Sequence, residues 1–461
     1  MPQKIRFRDG IIQTPDGPLE QDLQIEGDRV AALLGRDERS DAGVTDFDAS
    51  GLWIMPGIVD LHAHTRVPGY EHKEDYVTAS RAAARGGITT FVDMPNVDPP
   101  TTTVELLREK RAVAERDCLV DWGHFAAATD LEQVPRLAKA GAMGFKLYQL
   151  KGAYPHDPRL AVDDPATLYE TFKAIKETGL PCLVHPCSQS LLEHLYSTAL
   201  ESGSPKDVTT FSRTYSSEVI WSVGVAILMA VQRATGVRLH LVHTHAADVI
   251  NQLRTAKANG FSVTAACDPK YFHMRMEDLE TAGARGIPGG FISEDEGRMA
   301  EVWRALDDGT IDIIDADHGA HTLEEMARTT NDPRSGPIGG PQYEYLLSVF
   351  LNDVNEGKLR IARLVDLLCR RPAQIIGLYP NKGSLEPGAS ADIVVVDPRR
   401  KVHPLDERTE NKSGWTPYHG RTLTGGPVLT MLRGQIIAEN ETIVGEPGFG
   451  RHIGRDSLKD G

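Results

Sequence analysis

Residues 58–64 read Ile-Val-Asp-Leu-His-Ala-His, an apolar run that closes on His62 and His64. Residues i and i+2 of a strand point the same way, so the two imidazoles would face one point. Comparable endings recur along the chain. Lys146 lies inside the apolar run Gly144-Phe-Lys-Leu-Tyr148, and two further runs end in Val184-His185 and Val242-His243. Another ends in Ile314-Asp315-Ala316-Asp317-His318. Each has a bland explanation when taken singly. A strand-end histidine is often a satisfied core residue, and a buried lysine often pairs with a carboxylate. Together, at matching topological positions, they are hard to assign to coincidence. Imidazole and carboxylate without thiolate suit zinc, with manganese, iron or cobalt as alternatives. An amine cannot bridge two cations. A lysine converted by carbon dioxide to a carbamate can, and Lys146 is the one strand-borne lysine placed for it.

These residues need a scaffold that gathers strand ends. Short β-branched runs at 58–62, 88–94, 122–127, 144–148, 181–185, 239–243, 261–266 and 311–316 read as strands. Between them lie helical patterns at 73–85, 103–115, 131–140, 165–178, 217–235, 247–259 and 294–307. Continuous apolar strands alternating with helices predict an α/β fold with a parallel sheet. Eight such units in about 260 residues match a (β/α)8 TIM-type barrel, whose active sites lie at the C-terminal ends of the strands. A doubly wound open sheet is the rival, but it gives no reason for eight.

The ends of the chain read differently. Short strands with turns at Asp9-Gly10, Asp16-Gly17 and Glu26-Gly27 fill the N-terminal stretch. The C-terminal stretch has the strand Ala391-Asp-Ile-Val-Val-Val-Asp397 and a hairpin turn at Arg433-Gly434. The expected organisation is a small β-sandwich domain built from residues 1–55 and 381–446 beside a barrel of residues 56–380. Residues 447–461 form a C-terminal tail, either loose or packed on a partner subunit.

The 461 residues carry 50 Lys plus Arg against 65 Asp plus Glu, a formal charge of −15. That balance repels phosphate backbones and argues against nucleic-acid binding. The longest apolar run, about residues 223–231, is too short for a bilayer span of about 20 residues, so no membrane role is expected. Cys118, Cys182, Cys187, Cys267 and Cys369 form no Cys-x-x-Cys pair, which suits a reducing, cytoplasmic setting. A nucleotide-binding barrel would need a Gly-rich phosphate loop, and none is seen.

Several stretches resemble the amidohydrolase superfamily, in the branch of dihydroorotases, hydantoinases (dihydropyrimidinases) and allantoinases. They are Pro56-Gly-Ile-Val-Asp-Leu-His-Ala-His64, His72-Lys-Glu-Asp75, Gly86-Gly-Ile-Thr-Thr90, Asp93-Met-Pro-Asn96, Gly144-Phe-Lys146, Val184-His185, Val242-His243, Asp317-His-Gly-Ala-His321 and residues 383–397. The resemblance implies two divalent metal ions. His62, His64 and Asp317 would hold one, His185 and His243 the other, and N6-carboxylated Lys146 would bridge them. It also implies hydrolysis of a small cyclic amide, imide or ureide by a metal-bridging hydroxide. Asp317 would act as base and then acid. Relatives in this branch form dimers and tetramers, so a homodimer or homotetramer is expected.

Two positions bear on the substrate. Arg66 and Asn96 match the pair that clamps a carboxylate in dihydroorotases, and His321 matches a histidine that approaches the same substrate. The alternative for Arg66 is an ion pair with Glu71 or Glu74. The pattern also departs from the branch. Pro288-Gly-Gly-Phe-Ile292 lacks the usual asparagine and arginine, Asp268-Pro-Lys270-Tyr271 replaces a histidine-bearing turn, and His245 and Ala320 stand at altered positions. Arg285, Lys270 or His245 are the candidates to replace the missing polar contacts. Loops 68–73 and 283–290 are candidate lids. The reading is dihydroorotase-like, with a hydantoinase or allantoinase-type cyclic amidase as the alternative. A silent scaffold of the same fold is disfavoured, because all six ligand positions are filled.

Overall fold

The computed structural model describes residues 3–38, 43–152, 157–286, 296–334 and 336–454. Eight parallel strands run in sequence order: Ile58–Ala63, Ile88–Asp93, Asp121–Ala127, Gly144–Tyr148, Pro181–His185, Arg238–Leu241, Val263–Cys267 and Ile313–Ile314. The sheet closes between the last strand and the first. His64 donates its backbone N–H to His318 O at 2.8 Å, and His318 donates to His62 O at 3.2 Å. Asp60 reinforces the seam by accepting from Ala316 N at 2.7 Å and His62 N at 3.1 Å. The predicted (β/α)8 barrel is therefore present.

The sixth and eighth strands are shorter than their apolar runs. His243 and Asp317 have φ of 61° and 44°, left-handed backbone that ends a strand. The ladder stops at Leu241 and Ile314, and both ligand candidates sit on the turns beyond. Helices Tyr76–Arg85, Val104–Asp117, Pro165–Thr178, Glu218–Thr235, Ala247–Ala258 and Glu296–Asp307 cover the barrel. The helix Glu218–Thr235 is long and apolar enough to cross a membrane by length and composition. Here Ile220, Trp221, Val225 and Leu228 bury one of its faces in the layer between helices and strands.

The chain ends build a β-sandwich. Strands Trp53–Pro56, Ile11–Thr14 and Gly17–Leu19 join Ile393–Val402, Leu423–Leu432, Gln435–Glu439 and Thr442–Ile443 in one sheet. The facing sheet comes from the N-terminal segment alone: Arg29–Leu34, Asp22–Glu26, Lys4–Arg8 and Val44–Asp48. Phe7, Ile25, Ile54, Ile393 and Met431 are among the residues that fill the space between them. Arg433 and Gly434, with φ of 46° and 74°, make the expected hairpin turn. A long excursion, residues 403–422, leaves the sandwich and buries Trp415 and Tyr418 against the barrel.

As far as residue 454 the tail packs on the barrel of its own chain. Trp122 N donates to Arg451 O and Ile453 N to Trp122 O, so the segment runs along the third barrel strand of its own chain. Unpaired backbone at that strand supplies the physical reason. Residues 455–461 lie outside the described residues.

Candidate metal centre

Parallel register sets the depth of each candidate ligand. Tyr148 pairs with His185, and Lys146 pairs with Leu183, so Lys146 lies one layer below the strand ends. It is fully buried, and its Nζ is 3.4 Å from His62 Nε2. Asp317 Oδ1 is 3.3 Å from both His62 Nε2 and His64 Nε2. The rings of His62 and His243 are 5.1 Å apart, and those of His185 and His243 are 4.5 Å apart. All six predicted ligand positions thus meet at the mouth of the barrel.

The opposite nitrogen of each ring has a polar partner. His62 Nδ1 is 3.2 Å from Asp315, His64 Nδ1 is 2.7 Å from Asn96 Oδ1, and His243 Nδ1 is 2.6 Å from Asp268. His185 Nε2 is 2.9 Å from the Tyr215 hydroxyl. Such outer partners fix tautomer and ring direction in metal sites. Burial holds His62 well below its ordinary range, with Lys146 adding to the effect. It also takes His64 down to about 4 and lowers His243. Neutral imidazoles are what a metal requires. Burial opposes ionisation of Asp317, but Lys270, His62, His64 and His243 hold it well below the usual carboxylate range. The donor set therefore fits divalent metal ions, with His62, His64 and Asp317 forming one compact group.

A second compact group differs from the expected one. His62, His243 and Asp268 cluster, whereas His185 meets the His243 ring edge-on. Asp268 accepts from the ring nitrogen of His243, so it orients that imidazole. Asp268, Asp315 and Tyr215 were not singled out as outer partners from sequence. Only Asp315 carried a signal, two residues before Asp317 in a strand ending.

A small cavity of about 40 Å³ opens beside these groups, walled in part by Arg66, Asn96, Tyr148, Tyr215, Lys270 and Tyr271. Arg66, His243 and Asp317 all have left-handed φ. Such positions cost about 1–3 kcal/mol each and concentrate at functional sites. Arg66 turns away from the acids first considered for it. Its Nη2 donates to His321 Nε2 at 2.9 Å, while Glu71 accepts from Gly69 N and Glu74 faces His318. Asn96 lines the cavity and also orients His64. His321 stands behind Arg66, fully buried.

Among the three candidates for the altered polar contacts, Lys270 reaches the chamber. It contacts Asp317 directly and Asp268 at 2.8 Å. His245 stacks on Tyr271, and Arg285 pairs with Asp406 over the Trp415 ring. Segment 68–73 is tied down by Tyr70 N to Arg66 O and by Lys73 to Glu325. Residues 287–290 and the Pro288–Ile292 stretch lie outside the described residues.

The sequence signature of the amidohydrolase family spans residues 53–437. The chain belongs to the amidohydrolase family. Within that family it is 31% identical over 448 residues to an L-hydantoinase of Paenarthrobacter aurescens, covering 95% of each chain. It is 33% identical over 451 residues to an allantoinase of Deinococcus radiodurans, covering 96% of each. A dihydroorotase of Staphylococcus epidermidis is 30% identical over 423 residues, covering 92% of this chain and 96% of that one. The solved L-hydantoinase (dihydropyrimidinase) from Arthrobacter aurescens superposes with a TM-score of 0.92 at 27% identity, over 99% of this chain and 100% of that one.

Proposed function

We propose that this amidohydrolase opens a small cyclic amide, imide or ureide at a C–N bond, with a dihydroorotase-like preference for a ring that carries an anionic group. The observation that carries the reading is Asp317, held 3.3 Å from two imidazoles at the edge of a cavity that also presents Arg66. Two divalent metal ions at His62, His64, Lys146, His185, His243 and Asp317 would supply Lewis acidity and lower the pKa of water. Zinc matches the donor set, with manganese, cobalt or iron as alternatives.

The chain's own groups do the rest. Asp317, kept ionised, takes a proton from the attacking water and returns it to the departing ring nitrogen. Arg66 offers a planar guanidinium to a carboxylate or carbonyl oxygen. Tyr215 and Tyr271, on the cavity wall, narrow the space left for bulk water. Burial lowers Lys146 to about 8, which leaves a useful fraction of neutral amine to take up carbon dioxide as a carbamate. A hydantoinase or allantoinase-type substrate is the second reading, favoured by relatives of those names at 31% and 33% identity.

We also take the protein to work as a homodimer or homotetramer in the cytoplasm. The described cysteines are all buried and unpaired, which suits reducing conditions. The test is a metal assay with a panel of rings: dihydroorotate, dihydrouracil, hydantoin, allantoin and succinimide. Lys146→Ala is expected to lower bound metal from about two per chain, the stoichiometry of a two-metal site. Unchanged metal content overturns the bridging role, and failure to open every ring overturns the function.

A further inference from the structure

Behind Arg66 runs a chain of buried polar groups that the ring-opening chemistry leaves unused. Arg66 donates from Nη2 to His321 Nε2 at 2.9 Å and from Nε to Ala320 O at 3.1 Å. A guanidinium cannot accept, so Nε2 of His321 is the acceptor and the proton of the neutral ring sits on Nδ1. That nitrogen is 3.7 Å from Glu325 Oε2. The other oxygen of Glu325 pairs with Lys73 at 2.7 Å. Glu325 also closes a capping box with Thr322 at the start of helix Leu323–Asn331. One carboxylate thus meets both ends of segment 66–73: it pairs with Lys73 directly, and its charge lies 3.7 Å, beyond hydrogen-bond length, from the Nδ1 of the imidazole that Arg66 bonds.

The arrangement is built into the packing. Arg66, His321, Lys73 and Glu325 are all at least nine-tenths buried. Gly319 and Gly339 leave room for it. A Cβ at 319 would lie 2.8 Å from Arg66 Nη2, and one at 339 would lie 3.0 Å from His321 Nε2. Trp415, from the excursion of the β-sandwich, donates its indole N–H to His321 O at 2.7 Å.

We propose that Glu325 is a positioning residue: it fixes the tautomer of His321, and through it the direction in which Arg66 meets an anionic group on the ring. The inference rests on the reading of Arg66 as a substrate group. With the proton on Nε2 instead, two N–H groups would face each other and Arg66 would turn away. Glu325 then acts on selectivity between acidic and uncharged rings, without touching either.

The experiment uses the metal-loaded full chain labelled with ¹⁵N-histidine. The His321 signal is assigned by its loss in His321→Gln. The wild type is expected to show the Nδ1–H tautomer, and Glu325→Gln a shift toward Nε2–H. Glu325→Asp, which keeps charge and cap, is expected to fall between them, and it decides the matter should the Gln variant fail to fold. In parallel, the ratio of kcat/KM for dihydroorotate over hydantoin is expected to fall about tenfold in Glu325→Gln, carried by KM for the acidic ring. An unchanged tautomer in the folded variants overturns the proposal. A shifted tautomer with an unchanged ratio overturns the selectivity claim. If the wild type opens no ring, the function fails alone, and the spectrum still decides the role of Glu325.

Discussion

At the base of the barrel, Asp121 and Asp392 meet two cations, Lys382 and Arg433, in a closed network. Lys382 bonds both acids, Arg433 bonds Asp121, and Arg451 N adds a donor to Asp121 at 2.9 Å. At the mouth, Asp317, Asp268 and Asp315 crowd together with Lys270 and Lys146 among neutral imidazoles. Burial, with Asp268 next, pushes Asp315 well above the carboxylate range. The base balances charge with charge and ties barrel, sandwich and tail into one body. The mouth concentrates donors that only added cations would satisfy in full. Buried charge serves cohesion at one end and chemistry at the other.

The comparison breaks if the two ends respond alike to loss of a carboxylate. Asp317→Asn is expected to lower kcat by about 100- to 10,000-fold, the range for a lost general acid–base group, with little change in the melting temperature. Steady-state kinetics alongside thermal unfolding read both; near-normal kcat would remove Asp317 from the reaction. Asp121→Asn is expected to do the reverse. Breaking a buried ion pair costs about 3–5 kcal/mol, seen as a lower urea midpoint, while kcat/KM of the folded fraction stays as in the wild type. A matching loss of turnover would mean that the base is coupled to the chemistry.

The mouth was legible in sequence because strand ends carry its candidate ligands. His62, His64, Lys146 and His185 follow directly from period and register. His243 and Asp317 were legible by type, although their left-handed turns were not, since β-runs of valine and isoleucine conceal where a strand stops. The outer partners were far less visible. Tyr215 comes from a helix, Asp268 from a turn, and Glu325 from a helix cap, so no shared spacing links them to the rings they serve. The base network was hidden for the same reason: Asp121, Lys382, Asp392 and Arg433 are joined by folding over hundreds of residues. The N-terminal segment read as one part of a sandwich, yet it supplies a whole sheet, because hairpin turns report pairing within a segment and not which layer it enters.

Glu344 sharpens the contrast, being buried but lacking both the balanced cations of the base and the metal-binding chemistry of the mouth. It anchors the excursion 403–422 by accepting from the backbone N–H groups of Glu410 and Asn411. Burial raises its pKa to about 7; Arg85 and those two N–H groups work against the rise, and Glu74 adds to it. A raised folded-state value means that the folded chain holds this proton more tightly than the unfolded chain, whose glutamate titrates near 4.5. The stabilisation is complete below about 4.5 and is lost as pH climbs to about 7. At 1.36 kcal/mol per pKa unit the change amounts to about 3 kcal/mol. Glu344→Gln is expected to remove that part of the slope, leaving the variant relatively more stable at pH 8 than at pH 5 when each is compared with the wild type by urea unfolding. If wild type and variant run parallel across that interval, Glu344 is ionised throughout, and its backbone donors compensate its charge as fully as Lys382 and Arg433 compensate the acids at the base.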